Sequence, residues 1–191
     1  MASKYPYSDL NWLMKKGGRH ILRMDSKESK YLYDLIASYD NPMCVEIGRL
    51  QGGSTLLMTY AGGYVYSIDL HLSKTVAEGR GEHFDTYLKE VLRLRGLTDR
   101  VNIVVGDSQN CDTSKFNNQV DILFIDGDHS YEGVKKDYSN WINTVKPGGH
   151  ILFPDASGLK GTVAGVKKFV DNIQLKRIAN ADSTVHFIKE I

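Results

Sequence analysis

Cysteine is scarce in this 191-residue chain: Cys44 and Cys111 are its only two, too few for a disulfide framework. Cys44 lies inside an apolar run and reads as a reduced core residue. With four prolines and no low-complexity stretch, the chain shows no interdomain linker. Neither sign of charge dominates. The 24 Lys and Arg against 23 Asp and Glu leave a net charge of +1, which gives no electrostatic reason to expect nucleic acid or an anionic membrane surface as partner. No apolar run approaches the roughly 18 residues of a membrane span, and Met1 to Gly18 hold no stretch suited to a secretory signal. A cytoplasmic protein is therefore expected. What is left is an ordinary globular composition, 41% hydrophobic and 25% charged, of a size that one core can serve.

Apolar runs of strand length recur, each closed by Gly, Asp or both, with helical patterns between them. Met43–Ile47, Tyr64–Ile68, Val101–Val105, Val120–Ile125 and His150–Phe153 read as strands. Most are apolar at successive positions, as a strand covered on both faces requires. Helices are expected at Ser26–Tyr39, with Ser26 as N-cap, and at Ser54–Tyr60, Glu82–Arg95, Tyr131–Val145 and Gly161–Ile173. Lys146-Pro147-Gly148-Gly149 is a helix breaker leading into a strand. Gln174–Ala179 and Thr184–Ile188 read as two last strands joined by the turn Asn180–Ser183. The alternation predicts an α/β fold, doubly wound, with a mostly parallel sheet of seven strands and an antiparallel C-terminal edge.

In such a sheet ligands bind beyond the carboxyl ends of the strands. The first strand ends in Glu46-Ile47-Gly48-Arg49-Leu50-Gln51-Gly52-Gly53-Ser54, where glycines allow a sharp turn and close approach. The spacing is not the G-x-G-x-x-G of dinucleotide-binding proteins. Asp69 closes the second strand about 20 residues after Gly48, where a carboxylate can accept the ribose hydroxyls of an adenosine-containing cofactor. The third ends in Gly106-Asp107-Ser108-Gln109, polar groups at the level of an adenine edge. The fourth ends in Asp126-Gly127-Asp128-His129-Ser130-Tyr131 and the fifth in Pro154-Asp155-Ala156. A tight turn or a solvated loop explains any one of these, but not readily all five at consecutive strand ends.

These motifs resemble those of class I S-adenosylmethionine (SAM)-dependent methyltransferases. Within that class the chain is similar to the catechol and caffeoyl-CoA O-methyltransferase group, and closer still to the small bacterial sugar or natural-product O-methyltransferases. The likeness rests on Val45–Gly48, Arg95–Val101, Val105–Gln109, Ile125–Val134 and Val145–Gly149, and spans Met43 to Ala156. It implies a Rossmann-like domain over residues 41–191, with residues 1–40 as a helical segment packing on it or capping it. By the same resemblance Glu46, Gly48, Gly52 and Gly53 serve the methionine end of SAM, Asp69 the ribose, and Asp107, Ser108 and Gln109 the adenine. Asp126 and Asp155 match the metal-binding aspartates of the catechol-type enzymes, with Mg2+ or a similar divalent cation as the implied ion; because such an ion takes about six oxygen ligands, Asp128 and waters are the expected additions. Two departures stand out. Ala156 replaces the asparagine that completes that metal site, and His129 stands where those enzymes carry a lysine base.

An alcohol must lose its proton to attack a methyl group, and His129 is the natural base because imidazole titrates near neutral pH. The expected activity is O-methylation of a hydroxyl on a small molecule, first a sugar and then a catechol-like phenol, with His129 and Asp126 as the catalytic residues. A SAM-binding protein without catalysis is the alternative from another class, and a nicotinamide-dependent oxidoreductase the alternative among enzymes. The polar stretch Ser73–Gly81 is expected to form a loop over the cofactor. Tyr5–Met14 is expected to cover the acceptor pocket or to pack on a second subunit, as a homodimer would require. Tyr138 and Trp141 read as packing residues.

Overall fold

Successive apolar residues become strands here because each face of the sheet has its own core. In the computed structural model, which describes residues 5–12, 21–70, 81–157 and 163–190, Cys44, Ile122, Phe124 and Leu152 point into one core. Val45, Ile47, Leu123, Ile125, Ile151 and Phe153 point into the other. Neighbouring residues of a strand face opposite sides, so both must be apolar. The strands are β1 (Met43–Ile47), β2 (Tyr64–Asp69), β3 (Val101–Val105), β4 (Val120–Ile125), β5 (Val145–Phe153), β6 (Lys176–Ala181) and β7 (Thr184–Ile188). They form one seven-stranded sheet in the order β3-β2-β1-β4-β5-β7-β6. β7 pairs antiparallel with both β5 and β6, and the other pairings are parallel.

Helices α1 (Ser26–Ala37), α2 (Gly53–Tyr60) and α3 (Gly81–Leu94) lie on the first face. α4 (Tyr131–Trp141) and α5 (Ala164–Val170) lie on the second. The N-cap of α1 is Asp25, one residue earlier than expected. Its carboxylate accepts the N–H groups of Lys27 and Glu28, and Glu28 reaches back to the Asp25 N–H. Counting from Asp25 places a glutamate at N3, and this reciprocal box outweighs the hydroxyl of Ser26. α4 stops at Trp141 and a 3-10 turn, Ile142–Thr144, completes the descent to the sheet. The Lys-Pro-Gly-Gly run is a bulge inside β5, not a turn before it. Val145 pairs with Val120 and His150 with Ile122, so the extra residues loop out between them.

The hairpin of β6 and β7 turns at Asp182-Ser183, tighter than expected, with Asp182 at φ 52°. Tyr5 packs on this same domain: its ring lies 4.8 Å from that of Tyr60, and its hydroxyl donates to the Arg95 carbonyl. Residues 73–80 of the expected loop fall outside the described residues, as do residues 161 and 162 of the last expected helix. Among the described residues no helix is long and apolar enough to cross a membrane.

Candidate active site

The strand order reverses between β1 and β4, and there the two chain reversals touch. Gly48 has φ 86° and Asp126 lies against it: a β-carbon on Gly48 would sit 2.1 Å from the Asp126 carbonyl oxygen. The Asp126 N–H donates to the Ile47 carbonyl at 2.7 Å. Only glycine allows so close an approach at that backbone angle.

From this contact the β4 reversal runs into α4. Ser130 caps the helix by accepting the Gly133 N–H. Asp128 accepts both the N–H and the hydroxyl of Ser130, at 2.9 and 3.0 Å. It therefore shapes the turn. The side chain that meets both Asp126 and Asp155 is that of His129. Its Nε2 lies 3.1 Å from Asp126 Oδ1 and 3.9 Å from Asp155 Oδ2. Among the described residues, Asp126, His129 and Asp155 form one group able to hold a metal ion, with their ligand atoms all within 4.8 Å of one another. Two carboxylates and an imidazole suit a divalent cation that takes mixed oxygen and nitrogen ligands.

Electrostatics bind these three groups together. Burial raises Asp126 and Asp155 above the ordinary carboxylate range, and His129 opposes the rise in both. The hydrogen bond to Asp126 holds His129 above its usual value. Asp155 is held with φ 57°, a conformation that side chains other than Asn, Asp and Gly seldom adopt. Its carbonyl accepts the Val163 N–H, and the next two N–H groups donate to the Ser183 carbonyl. Ala156 is buried in the second core.

The remaining candidates divide into two sets. Asp69 Oδ2 accepts the N–H groups of Arg49 and Leu50 at 2.7 and 2.8 Å, which ties the ends of β1 and β2 together. Gly52, at φ 79°, lies against the end of the Leu88 side chain, 2.8 Å from where a β-carbon would sit, and Gly53 lies under the backbone of Ile21 and Leu22. Asp107 accepts from the Gln109 N–H and the Asn110 side chain. Glu46 and Ser108, by contrast, turn inward. Glu46 is wholly buried and accepts the hydroxyls of Ser54, Thr55 and Ser67, with burial raising its pKa against those bonds. Ser108 donates its hydroxyl to Asp137, and its carbonyl accepts the indole N–H of the buried Trp141.

Sequence reasoning missed several partners of the site. Glu28 of α1 accepts hydroxyls from Ser183 and Thr184, and its charge raises both Asp126 and Asp155. Arg49 pairs with Asp85, 36 positions away. Asp25-x-x-Glu28 carried a readable signal as a capping box; the other contacts depend on which elements meet.

The profile of a family described as a methyltransferase domain matches residues 45–156. An uncharacterized protein of Acanthamoeba polyphaga mimivirus is 40% identical over 60 residues, a match that covers 30% of this chain and 27% of that one. The chain thus aligns with under a third of the curated relative. Among solved structures, a SAM-dependent O-methyltransferase from Thermotoga maritima superimposes with a TM-score of 0.64 at 16% identity, covering 95% of this chain and 71% of that one. The O-methyltransferase NovP superimposes with a TM-score of 0.69 at 16% identity, covering 91% of this chain and 84% of that one.

Proposed function

The chain belongs to the methyltransferase domain family, and from that premise we propose that it transfers a methyl group from SAM to a hydroxyl of a small molecule. The observation that carries this reading is the convergence of Asp126, His129 and Asp155 at the switch point, beside the Gly48 turn. The likeness to the Thermotoga protein and to NovP, both O-methyltransferases, favours oxygen as the acceptor atom. Sugar hydroxyls are the first acceptor class to test and catechols the second.

In this reading Asp69 takes the ribose hydroxyls. Gly48, Gly52 and Gly53 shape the turn for the methionine end, and Glu46 acts from below by holding Ser54 at the start of α2. Asp107 and Gln109 border the adenine, with Ser108 setting their loop through Asp137. When bound, SAM supplies a methyl group on a positively charged sulfur. With Nε2 bonded to Asp126, His129 would accept the acceptor's hydroxyl proton at Nδ1 while the oxygen lone pair forms the new C–O bond and the C–S pair returns to sulfur. Asp126 orients the imidazole and stabilises its charged form. Positioning of the two reactants supplies much of the acceleration.

The same residues favour a second reading. Asp126, His129 and Asp155 would hold a divalent cation, which lowers the pKa of a bound hydroxyl; His129 is then a ligand and not the base. Labelled SAM incubated with sugars and catechols, with Mg2+ or with EDTA, separates the two. As the base, His129→Ala lowers turnover by about 10^2–10^4-fold with S-adenosylhomocysteine (SAH) affinity within twofold of wild type, and EDTA changes nothing. Turnover unaffected by His129→Ala removes that residue from the mechanism. SAH binding without transfer to any acceptor would favour a binding protein, the role that Ala156 in place of a metal ligand would suit.

A further inference from the structure

Directly below the glycine turn lies a charged pair that the transfer chemistry does not use. Arg49 follows Gly48, yet its side chain is 0% exposed. Its guanidinium grips Asp85 of α3 with two bonds, Nε to Oδ1 at 3.0 Å and Nη2 to Oδ2 at 3.1 Å. Nη1 donates to the carbonyls of Ser67 on β2 and Val104 on β3, at 2.9 and 3.3 Å. The Ser67 hydroxyl reaches Glu46, which also holds Ser54 and Thr55 of α2. One polar network therefore joins β1, β2, β3, α2 and α3 beneath the turn. The main chain of the same arginine, with that of Leu50, binds Asp69.

The turn needs such a hold. Gly48, Leu50 and Gly52 all have positive φ, of 86°, 47° and 79°, and Leu50 carries a β-carbon that disfavours this conformation. A planar guanidinium with donors in a fixed fork constrains direction as well as distance. We propose that Arg49 and Asp85 are positioning residues for cofactor binding. Through them the seating of α3 on the sheet sets the shape of the glycine turn and the aim of Asp69. The inference rests on the reading of that turn as the SAM site, and neither side chain need touch the cofactor.

A buried ion pair could instead serve folding alone, and the energetics of such pairs offer a way to tell. Removing one partner strands a charge and destabilises, whereas an apolar pair of similar volume is often neutral or stabilising. The double variant Arg49→Met/Asp85→Leu therefore keeps a filled interior but loses every directional bond to Ser67, Val104 and α3. Two readouts follow on the full chain: SAH affinity by calorimetry, and amide hydrogen exchange over residues 48–52 without ligand. The positioning role predicts a melting temperature near wild type, exchange at least tenfold faster in the turn, and SAH binding at least tenfold weaker. Exchange and affinity both within twofold of wild type would overturn it. Should the double variant not fold, Asp85→Asn, measured well below its own melting temperature, decides by the same two readouts. A wild-type protein that binds no SAH defeats the functional reading, while the exchange measurement still judges whether the pair shapes the turn.

Discussion

Asp137 shows how much a single side chain can be governed by its cover. It sits in the middle of α4, 1% exposed, accepting the Ser108 hydroxyl, and burial pushes its pKa up to about 6. A carboxyl with a raised folded-state value binds its proton more tightly in the native protein. Its contribution to stability is complete below the unfolded value near 3.8 and is lost as the pH rises through about 6. At neutral pH the ionised group therefore costs about 2–3 kcal/mol relative to acid. Asp137→Asn keeps an oxygen for Ser108 and removes the charge, so it is expected to raise the melting temperature at pH 7.5 and to match wild type near pH 4. A variant no more stable at pH 7.5 would mean that the carboxylate is better solvated than its burial implies. Nothing in the run Lys136-Asp137-Tyr138 distinguishes this aspartate from a surface one. His129 was readable because its partner Asp126 stands three residues away. Asp137, Glu28 and Arg49 meet Ser108, Ser183 and Asp85 at separations of 29, 155 and 36 positions.

Between elements, a chain of hydrogen bonds ties α1 to the C-terminal strands. Tyr31 Oη lies 2.6 Å from His186 Nδ1, His186 Nε2 lies 2.8 Å from His150 Nδ1, and His150 Nε2 lies 2.5 Å from Tyr39 Oη. The two imidazoles face each other nitrogen to nitrogen, so at least one facing atom must be bare. Burial lowers both, and His150 lowers His186 further, to about 4; Asp121, whose carboxylate holds Lys146, pulls His150 the other way. A histidine kept neutral in the native state stabilises it above the unfolded value of 6.5, and that stability drains away as the pH falls toward 4. Acid is expected to loosen α1, seen as protection factors in residues 26–37, corrected for the intrinsic pH dependence of amide exchange, that fall between pH 6.5 and 4. His186→Phe should lose most of that dependence; an unchanged pH profile in the variant would assign the effect elsewhere. The elements themselves were largely readable, because runs such as Val120–Ile125 and the amphipathic Glu82–Arg95 carry their period locally. Strand ends such as those of Val101–Val105 and Thr184–Ile188 were readable as well, but other boundaries were not. Asp25 displaced Ser26 as N-cap through its reciprocity with Glu28, and the Lys146–Gly149 bulge exists because Lys189 exchanges two backbone hydrogen bonds with Gly148 and Gly149.

At the scale of the whole molecule, the order β3-β2-β1-β4-β5-β7-β6 brings the reversals after β1 and β4 against each other, and everything attributed to the site depends on how closely they meet. Gly48 measures that closeness. A methyl group there would meet the Asp126 carbonyl oxygen at 2.1 Å, its carbon at 2.5 Å and the Gly127 nitrogen at 2.8 Å, all backbone atoms that cannot swing aside. Gly62 offers the comparison: its φ is 106°, but nothing lies within 4 Å of an added β-carbon. Both substitutions by alanine bear the conformational penalty of positive φ, about 1–2 kcal/mol. Only Gly48→Ala must also pry β1 from β4. It is expected to lower stability by well over the loss seen for Gly62→Ala and to abolish SAH binding, whereas Gly62→Ala, at the far end of α2, should bind as wild type. Equal stability losses for the two variants, measured by denaturant titration, would show that the ends of β1 and β4 stand further apart than the site requires.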